Sequence, residues 1–238
     1  MRLAEVQADD FVVEVGAGLG TLTLGLADVA KHVVAIEIDR RLIPALAEVV
    51  DEAVNVEVVQ GDAMNLDFGS LLKGSPHRFV SNLPYNIATP LVADLLESTP
   101  EITDFTIMVQ REVGERLAAK PGSKTYGAVS VLVAYHCETR ILGRVPSTVF
   151  WPRPKVESVL VNLSRRPPTV DVDYDQLMRV VRASFAQRRK TVRNCIAAIL
   201  DLPVADVTVA LTESEVDPDS RAESLGLQEF ARIAKALQ

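Results

Sequence analysis

The run Asn82-Leu83-Pro84-Tyr85 combines the residue types needed to hold a flat aromatic amine. The side-chain oxygen of Asn82 can accept a hydrogen bond from such an amine, and so can the backbone carbonyl of Leu83 or Pro84. The ring of Tyr85 offers a stacking surface for a base. Two acceptors that draw the amine hydrogens out of the plane of adenine localise the nitrogen lone pair and aim it at an electrophile. The run therefore predicts an adenine-methylating site, and a strand-ending turn with a core tyrosine is the alternative.

A second aromatic segment, Phe150–Ser158, precedes a predicted strand and contains Trp151 and two prolines. Prolines restrict the backbone, so the segment predicts a rigid wall beside the site. We expect Phe150 to face Tyr85 across the target base, where stacking is worth roughly 1–3 kcal/mol per base. Packing at the edge of a sheet is the alternative.

A glycine-rich run, Glu14-Val15-Gly16-Ala17-Gly18-Leu19-Gly20, follows the first predicted strand and leads into a helix. The glycines Gly16, Gly18 and Gly20 permit a tight turn and close approach of the backbone to a nucleoside. Their G-x-G-x-G spacing differs from the G-x-G-x-x-G expected for a dinucleotide pyrophosphate. A structural turn without a ligand is the alternative.

An acidic residue lies near the end of the second predicted strand, and another follows the third. Glu37 can accept hydrogen bonds from both hydroxyls of a ribose. Asp62 can accept from the amino group of an adenine while the backbone of Ala63 meets the ring. Asp39 is predicted to be a cap or surface residue. Ligands bind at the carboxyl ends of strands in open α/β sheets, so these residues with the glycine run predict a nucleoside, and S-adenosylmethionine is the nucleoside that fits.

The elements that must position these residues can be predicted from apolar periodicity. Buried strands rich in valine and isoleucine are predicted at Phe11–Val15, Val33–Ile38, Val56–Val59, Phe79–Asn82 and Thr106–Val109. Amphipathic helices between them are predicted at Leu22–Val29, Arg41–Val50, Pro90–Leu96 and Glu112–Ala119. This alternation predicts an α/β fold with a parallel sheet and helices on both faces. Two later runs, Val129–Glu138 and Ser158–Leu163, predict an antiparallel hairpin at the sheet edge.

The run Arg165-Arg166-Pro167-Pro168 breaks this pattern and predicts a domain boundary. Residues 1–166 are predicted to form the cofactor-binding catalytic domain, and residues 167–238 a small, all-helical RNA-binding domain. Helices in the second domain are predicted at Tyr174–Phe185, Lys190–Leu200, Val204–Leu211 and Leu227–Leu237.

The second domain carries a dense cluster of basic residues without intervening acids: Arg179, Arg182, Arg188, Arg189, Lys190 and Arg193. The net charge of −7 argues weakly against a nucleic-acid partner, but local clustering decides phosphate binding. Uniform positive charge and the adjacent Phe185 predict contact with RNA phosphates. A solvated helix face is the alternative.

Several function classes are disfavoured by the same sequence. Its apolar runs are too short or interrupted to span a bilayer, and the N-terminus lacks a signal-peptide pattern, so no membrane partner and a cytoplasmic location are expected. The two cysteines are far apart and predict reduced thiols without a role. The three histidines match no ligand spacing, so no catalytic metal is expected.

With these residues considered together, the chain resembles the small-subunit ribosomal RNA adenine-N6,N6-dimethyltransferase family (KsgA or RsmA in bacteria), across essentially its whole length. The matching segments are Glu14–Thr23, Ile36–Asp39, Gly61–Ala63, Asn82–Asn86, Val109–Val113, Pro121–Lys124, Tyr126-Gly127, Phe150–Ser158, Phe185–Asn194 and Arg221–Glu223. The Phe185–Asn194 segment distinguishes this family from the related 23S rRNA methyltransferases.

The resemblance implies a Rossmann-like methyltransferase that dimethylates two adjacent adenosines near the 3′ end of 16S rRNA, in a partly assembled small subunit. It implies that Gly16, Glu37, Asp62 and Asn82 contact S-adenosylmethionine, and that Asn82 and Tyr85 handle the adenine. Family members carry a Gln-x-Phe-Leu-like segment ahead of the first strand, over the methionine end of the cofactor. The ten residues before Phe11 do not contain that segment, so weaker cofactor binding and a more exposed pocket are expected.

Two rival functions are alternatives to this one. A non-catalytic small-subunit assembly factor would use the same fold to bind RNA without methyl transfer. A DNA adenine methyltransferase is disfavoured by the Phe185–Asn194 segment and by the lack of a recognisable helix-turn-helix. A monomer is the default expectation.

Overall fold

The computed structural model describes residues 3–150, 153–187 and 189–237. The chain divides into two compact units, each built from two stretches of sequence. The first comprises residues 1–114 and 138–165, and the second comprises residues 115–137 and 166–238. The predicted boundary at residue 166 is one point at which the chain passes between units, but the stretch 115–137 was predicted to lie in the first domain and groups with the second.

A mixed sheet forms the first unit, with the order β3-β2-β1-β4-β5-β7-β6. Its strands are β1 (Phe11–Val15), β2 (His32–Glu37), β3 (Val56–Gln60), β4 (His77–Asn82), β5 (Ile102–Gln110), β6 (Cys137–Val145) and β7 (Ser158–Arg165). The strands β1 to β5 pair in parallel, and β7 pairs antiparallel with β5. The predicted Rossmann-like α/β fold is therefore confirmed.

The five parallel strands are where continuous apolar sequence predicted them, because helices cover a parallel sheet and bury its strands. Val12 and Val13 of β1 are completely buried. Phe79 of β4 and Phe105 of β5 are also buried, with ring centroids 5.5 Å apart. The carboxyl ends of these strands meet at one edge of the sheet, which is where the predicted site residues lie.

The helices that connect the parallel strands are α1 (Thr21–Ala27), α2 (Ile43–Val49), α3 (Phe68–Leu72) and α4 (Ala88–Ser98), and α5 (Arg111–Leu117) follows the last of these strands. Four of them correspond to predicted helices, and α3 was missed. Its first turn is capped by Asp67, whose side chain accepts a hydrogen bond from the Ser70 N–H at 3.1 Å. The chain passes between the two units within α5, after Gly114.

The predicted hairpin strand Val129–Glu138 is wrong, because this segment forms the helix α6 (Ala128–His136). The hydroxyl of Ser130 accepts a hydrogen bond from the Gly127 N–H at 3.1 Å and donates one to the Arg116 carbonyl at 2.6 Å. Ser130 therefore caps the helix and also fixes it to the preceding segment. The edge strand of the sheet is instead β6, which begins at Cys137.

Among its described residues, the second unit contains four further helices, α7 (Tyr174–Phe185), α8 (Val192–Leu200), α9 (Val204–Glu213) and α10 (Leu227–Ala236), which were all predicted within a few residues. Their core includes Phe185, whose ring packs against Tyr126 and Phe230 at centroid distances of 5.8 Å in both cases. Within the described ranges, no helix has the length and apolar character needed to cross a membrane.

Candidate active site

The glycine-rich turn connects β1 to α1 through three left-handed residues. The φ angles of Gly16, Gly18 and Gly20 are +78°, +59° and +81°, a region in which residues with a Cβ atom are strained. The N–H groups of Gly16 and Ala17 both donate to the carbonyl of Ile36, at 2.8 and 3.2 Å. The turn is therefore fixed to the carboxyl end of the neighbouring strand β2.

Glu37, the last residue of β2, organises the same turn with its carboxylate. One oxygen accepts a hydrogen bond from the Gly18 N–H at 2.8 Å, and the other accepts one from the Asp39 N–H at 2.8 Å. Glu37 is buried, and each carboxylate oxygen keeps a second lone pair for a ribose hydroxyl. Asp39 itself forms a surface ion pair with Arg41 at 2.7 Å, as expected for a surface residue.

Asp62 follows β3 and is half-buried, while Ala63 is buried. The Asp62 carboxylate accepts hydrogen bonds from the Met64 N–H at 3.0 Å and from the Asn65 side-chain amide at 2.7 Å. These contacts form a local turn and leave one lone pair on each oxygen. Contact of Asp62 and Ala63 with an adenine stays a prediction.

A buried acid, Glu14, lies beneath the glycine-rich turn and was not assigned a role from sequence. Its carboxylate accepts a hydrogen bond from the Thr23 hydroxyl at 2.7 Å. Burial raises the pKa of Glu14 to about 7, an effect that the Thr23 hydrogen bond opposes and the nearby Glu37 charge reinforces. The available signal was an acidic residue inside an otherwise apolar strand.

The Asn82–Tyr85 turn closes β4 and contacts the glycine-rich turn directly. A Cβ atom added to Gly16 would lie 3.3 Å from Cδ of Pro84 and 3.9 Å from the backbone oxygen of Asn82. Leu83 is buried, and its N–H donates to the Met108 carbonyl of β5 at 3.1 Å. The two motifs predicted for cofactor and substrate are therefore adjacent, and the Asn82 side chain is exposed between them.

The aromatic residues predicted to hold the base are only partly placed by the structure. Tyr85 is half-buried, and its hydroxyl lies 2.8 Å from the Ser158 hydroxyl. Phe150 is also half-buried, after a short 3₁₀ turn that ends at Val149. No ring contact links Phe150 with Tyr85 within the described residues, and Trp151 lies outside them. The base clamp between the two rings stays a prediction.

A cavity of about 510 Å³ opens between these two turns. Its lining includes Glu14, Gly16, Gly18, Thr21, Asn82 and Met108. The volume lies in the range typical of small-molecule sites. Glu37, Asp62 and Ala63 are outside this lining in the described part of the chain, and Gly20 lies against Leu46 of α2. Of the predicted cofactor residues, the cavity thus unites Gly16, Gly18 and Asn82.

The predicted RNA-binding residues lie in the second unit. Arg179 and Arg182 are exposed on α7, and Arg189 and Lys190 are exposed before α8. Arg193 is half-buried and pairs with Asp219 at 2.9 Å, which offsets part of its charge. Arg188 lies outside the described residues. Contact of these side chains with RNA stays a prediction.

Comparison with known proteins identifies the family. The family model for ribosomal RNA adenine dimethylase matches residues 1–238. The chain belongs to this family. Ribosomal RNA small subunit methyltransferase A of Moorella thermoacetica is 46% identical, over 100% of this chain and 86% of the relative. The protein of that name from Thermobifida fusca is 45% identical, over 99% of this chain and 83% of the relative.

Two solved structures share the architecture. A dimethyladenosine transferase from Plasmodium falciparum has a TM-score of 0.79 and 26% identity, over 98% of this chain and 91% of that chain. The 23S rRNA methyltransferase ErmE has a TM-score of 0.76 and 27% identity, over 99% of this chain and 95% of that one. The predicted family, and with it an S-adenosylmethionine-dependent methyltransferase that acts on ribosomal RNA, is confirmed. The roles of single residues are not tested by these matches.

Proposed function

We propose that this chain transfers methyl groups from S-adenosylmethionine to the exocyclic amines of two adjacent adenosines near the 3′ end of 16S rRNA, two on each adenosine. The observation that carries the proposal is the contact between the glycine-rich turn and the Asn82–Tyr85 turn. Because Gly16 and Pro84 almost touch, a donor held at the first turn is next to an amine held at the second. Family membership supports ribosomal RNA as the substrate class.

The residues that line the cavity, together with those at the ends of β2 and β3, fit the chemistry of this cofactor. Glu37 would hold the ribose with the two lone pairs that its backbone contacts leave unused. Asp62 and Ala63 would hold the adenine. The Glu14 carboxylate would attract the positively charged end of the molecule. When bound, S-adenosylmethionine supplies an electrophilic methyl group on a positively charged sulfur. The glycine-rich turn would place that end beside Asn82.

Asn82 and the following backbone carbonyl would orient the target amine. The Asn82 oxygen accepts one amine hydrogen, and the carbonyl of Leu83 or Pro84 accepts the other. The Pro84 carbonyl already accepts from the Ile87 N–H at 3.2 Å and retains a second lone pair. Tyr85 and Phe150 would clamp the ring. No strong base is required, because the attacking nitrogen becomes acidic only after it bonds to carbon, so catalysis comes from positioning and fixed dipoles.

The partner would be 16S rRNA within a partly assembled small subunit, in the cytoplasm, with the protein acting as a monomer. Arg179, Arg182, Arg189 and Lys190 would bind its phosphates, together with Arg193 and Arg188. Counterion release makes such binding weaken as salt concentration rises. The exposure of the first four side chains supports this assignment.

The test is transfer of labelled methyl groups to small subunits that lack the modification, by the unchanged protein and by Asn82→Ala. We expect the variant to lose at least roughly a hundredfold in rate, as when one positioned polar group is removed from an active site. Its thermal unfolding midpoint reports on folding, and its binding of S-adenosylmethionine reports whether the donor site has changed as well. Retained dimethylation by a folded Asn82→Ala variant would refute the role of Asn82. Subunit binding without any transfer by the unchanged protein would favour the assembly factor.

A further inference from the structure

The hydroxyl groups of Tyr85 and Ser158 form a hydrogen bond between two distant parts of the chain. Their oxygens lie 2.8 Å apart, although the residues are 73 positions apart in sequence. Either hydroxyl can be the donor, since each can donate one bond and accept two. Ser158 is completely buried, whereas Tyr85 is half-buried at the site. The bond therefore connects a partly exposed aromatic side chain to a buried position in the chain.

Ser158 lies at the start of β7, which neighbouring contacts hold in place. Ser158 is in register with Gln110 of β5. The preceding Glu157 accepts a hydrogen bond at its backbone carbonyl from the Arg111 N–H at 2.9 Å. Its carboxylate also pairs with the Arg111 guanidinium at 2.8 Å. The Ser158 hydroxyl is consequently held in place by the sheet.

Tyr85, by contrast, follows the strand β4 and has a ring that can rotate about two side-chain torsions. A ring that is free to rotate must be ordered when the base binds, which weakens binding and misaligns the reacting amine. We propose that Ser158 is a positioning residue, which fixes the Tyr85 ring in the orientation that stacks on the target adenine. This inference rests on the proposed function, in which Tyr85 contacts the base.

The bond can be removed from either side without removing the stacking ring. Within the described residues, Tyr85 is the hydrogen-bond partner of the Ser158 side chain. Ser158→Ala and Tyr85→Phe therefore eliminate the same contact, and the double variant eliminates nothing more. If Ser158 acts only through Tyr85, the effects of the two changes on catalysis must not add.

We expect Ser158→Ala and Tyr85→Phe each to lower kcat/KM for methyl transfer to unmodified small subunits by roughly two- to tenfold, the net effect of one hydrogen bond. The double variant should be no slower than the slower single variant. Ser158→Thr, which keeps a hydroxyl, should retain more activity than Ser158→Ala. Affinity for S-adenosylmethionine should stay unchanged in all of them, because the bond lies on the substrate side.

A matched control is Ser164→Ala, at the other end of the same strand. It removes a part-buried hydroxyl that donates a hydrogen bond to the Asp104 carboxylate at 2.7 Å. It should leave kcat/KM unchanged, since Ser164 pairs with Asp104 near the start of β5, whereas Ser158 pairs with Gln110 at its carboxyl end. Normal transfer by Ser158→Ala or by Tyr85→Phe, or additive losses in the double variant, would overturn the inference. If Ser158→Ala does not fold, Tyr85→Phe alone decides the question. Absence of transfer by the unchanged protein would overturn the proposed function as well.

Discussion

Replacement of Gly16 by alanine should impair catalysis more than it impairs folding. Gly16 has a φ of +78°, and an added Cβ would lie 3.3 and 3.4 Å from two ring carbons of Pro84. A contact of that length requires the proline to move by a few tenths of an ångström. Because Pro84 lies within the turn that presents Asn82 and Tyr85, that movement would displace the groups proposed to hold the target amine.

The magnitude follows from two separable costs. A left-handed backbone costs an alanine about 1–2 kcal/mol of stability. The same cost applies to Gly74→Ala, where φ is +69° and an added Cβ meets nothing within 4 Å. At Gly16 the contact with Pro84 adds a second effect, which lowers the rate of methyl transfer. A misplacement of about 1 Å reduces the rate roughly a hundredfold, so a few tenths of an ångström should reduce kcat by roughly three- to tenfold.

The assay pairs urea denaturation with the rate of methyl transfer to unmodified small subunits, for Gly16→Ala and Gly74→Ala. We expect similar losses in the free energy of unfolding and a loss of kcat only for Gly16→Ala. Calorimetry with S-adenosylmethionine separates any change in donor affinity, since Gly16 also lines the cavity. Equal kcat values for the two variants, with Gly16→Ala folded, would refute the reasoning that the two turns are mechanically coupled.

Three further outcomes are expected. Because the folded-state pKa of Glu14 is raised from 4.5 to about 7, its contribution to stability is fully present below pH 4.5 and lost as the pH rises through 7. Between pH 4.5 and 7, the free energy of unfolding measured with urea should fall by roughly 3 kcal/mol less in Glu14→Gln than in the unchanged protein. Equal falls in the two proteins would contradict this. Gly114→Ala, whose Cβ would clash with the side chain of Val159 in β7, should lower the free energy of unfolding by roughly 1–3 kcal/mol. Gly143→Ala, where an added Cβ meets nothing within 4 Å, should be near neutral, and equal losses in the two variants would contradict this. Lys190→Ala should weaken rRNA binding and reduce its log–log salt slope by roughly 1, and an unchanged slope would exclude a phosphate contact.

The parallel part of the fold could be predicted because its signals are local. A strand buried on both faces is built around a continuous apolar run, and Val12-Val13, Val33–Ile36 and Phe79-Val80 form such buried runs in β1, β2 and β4. The glycines between β1 and α1 indicated a tight turn, and the structure shows that all three have left-handed φ angles. Residue types at strand ends thus indicated which edge of the sheet would carry the site.

The segment that was assigned the wrong structure shows what local signals miss. Residues 129–135 are rich in valine, which favours a strand. Burial among helices of the second unit outweighs that preference, since Val131 and Val133 are completely buried there. The hydroxyl of Ser130 adds a cap whose second partner, the Arg116 carbonyl, belongs to an earlier segment. Such tertiary contacts override propensity and have no signature within the segment itself.

Long-range contacts also change how the two site motifs relate to each other. From sequence, the glycine-rich turn and the Asn82–Tyr85 turn are separate signals, one for the cofactor and one for the base. In the folded chain, the absence of a side chain at Gly16 makes room for Pro84. Glycine is required at that position by the substrate turn as much as by the left-handed backbone. In the proposed function, the distance between methyl donor and acceptor is therefore set by direct packing of one turn on the other, so a change in either turn should alter the rate of transfer even when both ligands still bind.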